Sequence, residues 1–253
     1  MPFISGLTQL RSLSIVGMAK NTGKTECLNY VLRRLWEEYP QVSLALTSIG
    51  IDGERRDQVT QTDKPEICLH PGTLFVTAEK FYRNKLVAAE VVGIDEQYTT
   101  SLGRAIYAKS KGTGKVLIAG PASTGGLKHI IRKMRDRDID LTIIDGALSR
   151  ISLAAPSVSE GMILATGAAY SVQPEELIRK THHLYRLIQL PEFPSRAIAE
   201  NLADAERGMF VIDAEGNVFE TGFISALSDR IWQDVEWLQR GNTLFVAVHK
   251  LIL

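Results

Sequence analysis

The residues best suited to chemistry lie in the segment Gly17-Met-Ala-Lys-Asn-Thr-Gly23-Lys24-Thr25. An apolar run, 12–17, precedes it and helical apolar spacing follows, so the segment is expected to turn a strand into a helix. At such a turn the N–H groups of the loop and of the helix start form a concave nest of donors for a di- or triphosphate. Gly23 lets the backbone approach closely because it carries no Cβ. Lys24 would neutralise the β- and γ-phosphates, and the Thr25 hydroxyl would hold Mg2+. The expected nucleotide-binding set is Gly17, Lys20, Asn21, Thr22, Gly23, Lys24, Thr25 and Glu26. The standard phosphate loop reads G-x-x-x-x-G-K-[ST]. Here Met18 stands where its first glycine would be, and Gly17 lies one residue further out. A second Gly-Lys pair, in Gly112-Thr-Gly114-Lys115, is followed by Val116 and a strand, and reads as a hairpin turn.

A phosphate site of this kind needs an acid near the metal, usually at the end of a neighbouring apolar strand. Leu141-Thr-Ile-Ile-Asp145-Gly146 fits that description. Asp145 would bind Mg2+ directly or through water, or else cap a turn. The second strand runs out into Thr47-Ser-Ile-Gly-Ile-Asp52-Gly53-Glu54. Asp52 or Glu54 would hold the metal or orient the attacking water, although Asp-Gly is also a common turn. The expected catalytic residues are thus Lys24, Asp52 and Asp145, and the expected metal ligands Thr25, Asp52 and Asp145. Arg55, Arg56 and Arg150 face either phosphates or solvent. Ser123 and Thr124, in a Gly-rich loop between strand and helix, are either helix caps or ligand contacts at the active edge of an α/β sheet. Guanine-reading proteins of this type usually carry N-K-x-D, but Asn84-Lys85-Leu86-Val87 lacks the acid, which leans towards ATP. The five histidines show no metal-ligand spacing.

The elements that must position these residues follow from periodicity. Strands are expected at 12–17, 42–49, 116–120, 141–145 and 162–166, and helices at 25–39, 124–137 and 174–188. Runs 73–77, 86–92 and 104–108 suggest a meander. Residues 50–72 form a polar stretch without a period, and loops of that length are usually functional. Further on come helices at 195–207 and 225–240, a hairpin of 209–213 with 218–221, and a last strand-like run at 243–253. That last run is either paired at a sheet edge or covered by further chain or a partner. Alternating strands and helices predict an α/β fold, a mainly parallel sheet flanked by helices with an antiparallel meander and a C-terminal extension. The expected division is 1–172 for the nucleotide domain and 173–253 for C-terminal helices and strands, which would also fit within the same domain.

Composition bounds the function classes. The chain has 253 residues, of which 45% are hydrophobic and 23% charged, enough for a packed core without a disulfide or metal staple. Its net charge of +0 argues against a nucleic-acid binder. Cys27 and Cys68 form no C-x-x-C, and Cys27 reads as a small hydrophobe inside a helix. With neither a secretory signal nor a run of about 18 apolar residues, a cytoplasmic protein without membrane contact is expected.

The loop resembles that of dethiobiotin synthetase and its relatives, in the SIMIBI class of P-loop proteins, over roughly residues 10–170. Closer still, VGMAKNTGKT, LTSIGIDGE, IIDGALSR and PSVSEGMILATGAA together resemble the P-loop subunit of lysine 5,6-aminomutase reactivase. That resemblance implies an ATP-dependent accessory protein that helps replace damaged cofactor on an adenosylcobalamin-dependent aminomutase. ATP and Mg2+ would be its cofactors, with Lys24 and Thr25 on the phosphates and metal, and Asp52 and Asp145 on the metal side. Its partners would be the aminomutase and a second reactivase subunit, and a homodimer would complete the site in some members of the class. A different reading is an ATP-dependent ligase acting on a small amine or carboxylate. A third is a nucleotide-binding module without turnover.

Overall fold

The computed structural model describes residues 3–49, 51–52, 66–100, 102–121, 123–147, 158–189, 208–213, 218–220 and 243–249. The chain divides into two compact units, Met1–Tyr170 and Ser171–Leu253.

The first unit contains, in chain order, α1 (Phe3–Leu7), β1 (Ser12–Gly17), α2 (Lys24–Glu38), β2 (Leu44–Ser48), β3 (Ile51–Asp52), β4 (Ile67–Leu69), β5 (Leu74–Ala78) and α3 (Glu79–Arg83). There follow β6 (Ala89–Thr100), β7 (Gly103–Ser110), β8 (Gly114–Val116), β9 (Ile118–Ala119), α4 (Thr124–Arg135), β10 (Leu141–Ala147) and β11 (Gly161–Ala165). Seven of these strands make one sheet in the order β11-β1-β10-β2-β5-β7-β6. From β11 to β5 neighbouring strands are parallel, whereas β7 and β6 run antiparallel. Every residue of β1, β2 and β5 is buried, as expected of parallel strands covered on both faces. One face packs Leu13, Ile15, Leu44, Leu46, Leu141 and Ile143 against Leu28, Leu32 and Leu35 of α2. The other packs Ala45, Leu74 and Val76 against Ile130 and Met134 of α4. The chain is therefore α/β, with a mostly parallel sheet, flanking helices and an antiparallel annex.

Local chemistry sets the helix ends. α2 stops at Tyr39, whose N–H donates to the Leu35 carbonyl at 2.9 Å, and Pro40 cannot continue the ladder. α4 begins at Ser123, whose hydroxyl oxygen accepts from the Gly126 N–H at 3.1 Å. Its last turn carries Arg132, Lys133 and Arg135 beside the carbonyl end of the dipole.

Several expectations are corrected here. The strand expected from residue 86 starts at Ala89 and continues to Thr100, and Leu86 makes only a single bridge to Lys115. The run 116–120 divides into β8 and β9, and neither joins the main sheet: β8 pairs with β4 and β9 with β3. The turn at Lys111–Lys115 therefore does not close a hairpin back onto β7. The stretch 50–72 contains β3 and β4, and β4 is tied to α2 by Asn29. That side chain donates to the Glu66 carbonyl at 3.0 Å and accepts from the Cys68 N–H at 2.9 Å. Helices α1 and α3 had no periodic signal because each is only five residues long. Cys27 is half-buried against the core, and its burial raises the thiol pKa.

The annex is fastened to α4 through a buried acid. Asp95 of β6 accepts the Tyr107 hydroxyl at 2.7 Å, lies 2.8 Å from His129 Nε2, and accepts the N–H groups of Gln97 and Tyr98 at 3.0 and 3.1 Å. Burial pushes the Asp95 carboxyl up, but these donors outweigh it and hold it below the ordinary aspartate value. A carboxylate so held contributes stability above its unfolded pKa, and that stability is lost as pH falls through the folded value. Tyr107→Phe removes one donor from a buried charge and is expected to destabilise by about 1–3 kcal/mol at neutral pH. It also raises the folded pKa of Asp95, so acid unfolding should begin at higher pH. Urea unfolding of both proteins between pH 7 and pH 3 would show it, and coincident pH profiles would contradict it.

The second unit contains α5 (Pro174–Ile188) and the antiparallel strands β12 (Gly208–Asp213), β13 (Val218–Glu220) and β14 (Thr243–His249), in the order β13-β12-β14. Proline takes the first helical position of α5, and Glu175 and Glu176 complement its N-terminal dipole. The expected hairpin is present as the pairing of β12 with β13, and the expected last strand as β14 on β12. The helices expected at 195–207 and 225–240 lie outside the described residues. Among the described residues no helix is long and apolar enough to cross a membrane.

Candidate functional site

At the carboxyl ends of the parallel strands, β1 ends at Gly17 between β10 and β11. A Cβ at Gly17 would lie 3.0 Å from Thr22 Oγ1, 3.2 Å from Lys24 Cβ and 3.3 Å from the Ala19 carbonyl oxygen. Glycine thus allows the loop to fold back over the strand end. Met18 is buried, and its N–H donates to the Ala165 carbonyl at 2.9 Å. The Thr22 hydroxyl donates to the Ala19 carbonyl at 2.9 Å, closing the loop from within. Asn21 (φ 61°) and Gly23 (φ 82°) take left-handed conformations. They turn the chain into α2, with Gly23 as its N-cap and the Cys27 N–H donating to the Gly23 carbonyl. The N–H groups of Lys24, Thr25 and Glu26 then lie in the first turn of α2, at the positive end of the dipole.

The charged centre is the pair Lys24–Asp145. Lys24 Nζ lies 2.6 Å from Asp145 Oδ1, with the lysine side chain 16% exposed and the aspartate 2%. The strand order produces this contact. β10 lies directly beside β1, so Asp145, opposite Ile15 in the ladder, stands beneath the start of the helix that leaves β1. Asp145 faces α2 because Leu141 and Ile143, four and two residues before it, already do.

The structure therefore brings Gly17, Thr22 and Lys24 together and joins Lys24 to Asp145, while Gly23 and Thr25 flank Lys24 at the start of α2. Lys20, Asn21 and Glu26 belong to the same loop and first turn but are exposed. Of Asp52 only the backbone is described. Ile51 and Asp52 leave the main sheet, and Asp52 stands opposite Ile118 of β9; its side chain lies outside the described residues. So do Glu54, Arg55, Arg56 and Arg150. Ser123 is a helix cap, as its bond to Gly126 shows. Lys115 of the second Gly-Lys pair forms an ion pair with Glu66 at 2.8 Å.

Sequence reasoning missed the end of β2. Ser48 stands opposite Asp145 in the ladder, is fully buried, and its hydroxyl finds no hydrogen-bond partner among the described residues. The signal was its parity with Leu44 and Leu46 on the face of α2. Thr47, on the opposite face, is also buried, beneath Gly120, and its hydroxyl has no partner among the described residues. The chain matches no protein-family model, no curated protein and no solved structure.

Proposed function

We propose that the chain is a Mg-ATP-binding P-loop NTPase that serves as an ATP-dependent accessory factor for an adenosylcobalamin-dependent aminomutase. The observation that carries the nucleotide reading is the lysine at the start of α2 held 2.6 Å from a buried acid on the adjacent strand, directly after a left-handed glycine N-cap. The aminomutase reading rests on the four sequence blocks that resemble the reactivase subunit.

The unpartnered buried hydroxyl of Ser48 and the carboxylate of Asp145 are hard oxygen donors of the kind Mg2+ takes. Thr25 and Asp145 would hold the ion, which supplies neutralisation of phosphate charge. Lys24 would leave Asp145 for the phosphates, exchanging one anionic partner for another without losing its buried charge contact. The first-turn amides would fix the phosphate chain for in-line attack by water, so that positioning and charge stabilisation supply most of the rate.

Calorimetric titration with Mg-ATP and Mg-GTP tests the nucleotide reading, with ATP expected to bind better. ATP hydrolysis stimulated by an aminomutase tests the accessory role. Phosphate release only in the presence of a small amine or carboxylate would favour the ligase reading. Asp145→Asn is expected to retain ATP binding in EDTA while losing most of the gain from Mg2+ and slowing turnover at least tenfold. Its readouts are titration at varied Mg2+ and a phosphate-release assay. An unaltered Mg2+ dependence would reduce Asp145 to a partner for Lys24.

A further inference from the structure

Ser48 ends β2 on the same face as Asp145. Leu44 and Leu46 pack with Leu28, Leu32 and Leu35 of α2, whereas Ala45 packs with Ile130 and Met134 of α4. Continued alternation puts Ser48 on the α2 side. Ser48 is the ladder partner of Asp145, on a strand about 4.8 Å away. The two side chains therefore stand abreast beneath the turn that carries Lys24.

The hydroxyl is unusual in its surroundings. Ser48 is 0% exposed, and its Oγ has no hydrogen-bond partner among the described residues. A buried hydroxyl that has lost its water and gained nothing is destabilising, and alanine would fill the same place without that cost. A ligand group seated at the carboxyl end of β2 would give that hydroxyl a partner. Lys24 Nζ donates to Asp145 Oδ1 at 2.6 Å. A phosphate that draws Lys24 away opens space for a cation on the same face.

We propose that Ser48 is a further binding residue of the metal–nucleotide site, its hydroxyl accepting a hydrogen bond from the hydration water of a divalent cation beside Asp145. This inference rests on the nucleotide reading above. Mg2+ gives up its waters reluctantly, and each retained water needs acceptors. Asp145 supplies one, and Ser48 is the adjacent buried group on the same face that is able to supply another.

The test uses the full chain with a fluorescent ADP or ATP analogue, titrated with Mg2+ and compared with EDTA. In Ser48→Ala the Mg2+ needed for half-saturation is expected to rise about tenfold, the usual effect of losing an outer-shell partner. Nucleotide binding in EDTA should be unchanged, and the unliganded Tm should equal or exceed that of the unmodified protein. Ser48→Cys, which keeps volume but accepts weakly, should show the same Mg2+ shift should the alanine variant fold poorly. An unchanged Mg2+ dependence would overturn the role of Ser48 while leaving the nucleotide reading intact. A lower unliganded Tm with unchanged Mg2+ dependence would overturn it too, in favour of a structural water. Failure of the unmodified protein to bind either analogue would overturn both readings.

Discussion

Lys24→Ala is expected to weaken Mg-ATP binding at least tenfold, a loss of about 1.4 kcal/mol or more. In the proposed site the lysine would be the charged group among neutral backbone amides, and charge-assisted contacts are roughly twice as strong as neutral ones. The same substitution removes the ammonium partner of Asp145, which is 2% exposed and bonded to Lys24 at 2.6 Å. Removing one partner of a buried pair costs about 3–5 kcal/mol, less what the survivor recovers by taking up a proton. The two effects are separable. Lys24→Ala combined with Asp145→Asn should recover much of the lost Tm, because no buried charge is left alone, but it should not recover ATP binding. Calorimetry with Mg-ATP and thermal unfolding without ligand give the two readouts. A folded single variant that binds Mg-ATP as tightly as the unmodified protein would remove the phosphate-loop reading.

The loop was legible because its chemistry is local. Glycine, lysine and threonine at fixed spacing, between an apolar strand and an apolar helix face, specify the donor nest without knowledge of the rest of the chain. Asp145 was legible as the acid ending a buried strand, since Leu141–Ile144 could only lie inside. What the sequence did not show is the order of strands. β10 lies between β1 and β2, and only that order sets Asp145 beneath Lys24 and beside Ser48. Ser48 itself reads as the polar end of an apolar run. Its parity with Leu44 and Leu46 acquires meaning once α2 is known to cover that face.

The misread segments share a cause. β4 and β8 are three residues each, too short for a period, and are held by partners distant in sequence. The Lys111–Lys115 turn looked local because Gly-Thr-Gly is turn chemistry, yet the strand after it is claimed by β4. Asp95 lies beyond the run 86–92 that periodicity marks, and nothing local assigns it a role. His129, 34 residues away, and Tyr107 make it part of the interior. In each case the deciding contact comes from another part of the chain.

Gly120→Ala is expected to be among the most damaging single substitutions in the first unit. Gly120 follows β9 and crosses the end of β2 at contact distance. A Cβ there would lie 1.8 Å from the Ser48 carbonyl oxygen, 2.9 Å from its carbonyl carbon and 3.0 Å from Thr47 Oγ1. The first two obstacles are backbone, so no rotamer change relieves them. Nor is Ser48 free to retreat, because it is in register with Asp145 in the parallel ladder, and the Ile49 N–H donates to the Asp145 carbonyl at 2.9 Å. Either the crossing segment lifts off β2, uncovering Thr47, or β2 shifts and takes Ser48 and Asp145 out of alignment. A loss of about 4 kcal/mol or more is expected, in the range that marks a severe packing fault. For a chain of this size that lowers Tm by roughly 8–16 °C. Gly112→Ala is the control, since nothing lies within 4 Å of a Cβ there, and its change should stay within about 0.5 kcal/mol. Differential scanning calorimetry of the two variants decides the matter. Equal transitions would mean that the crossing segment yields freely and that its contact with β2 does not hold the site in place.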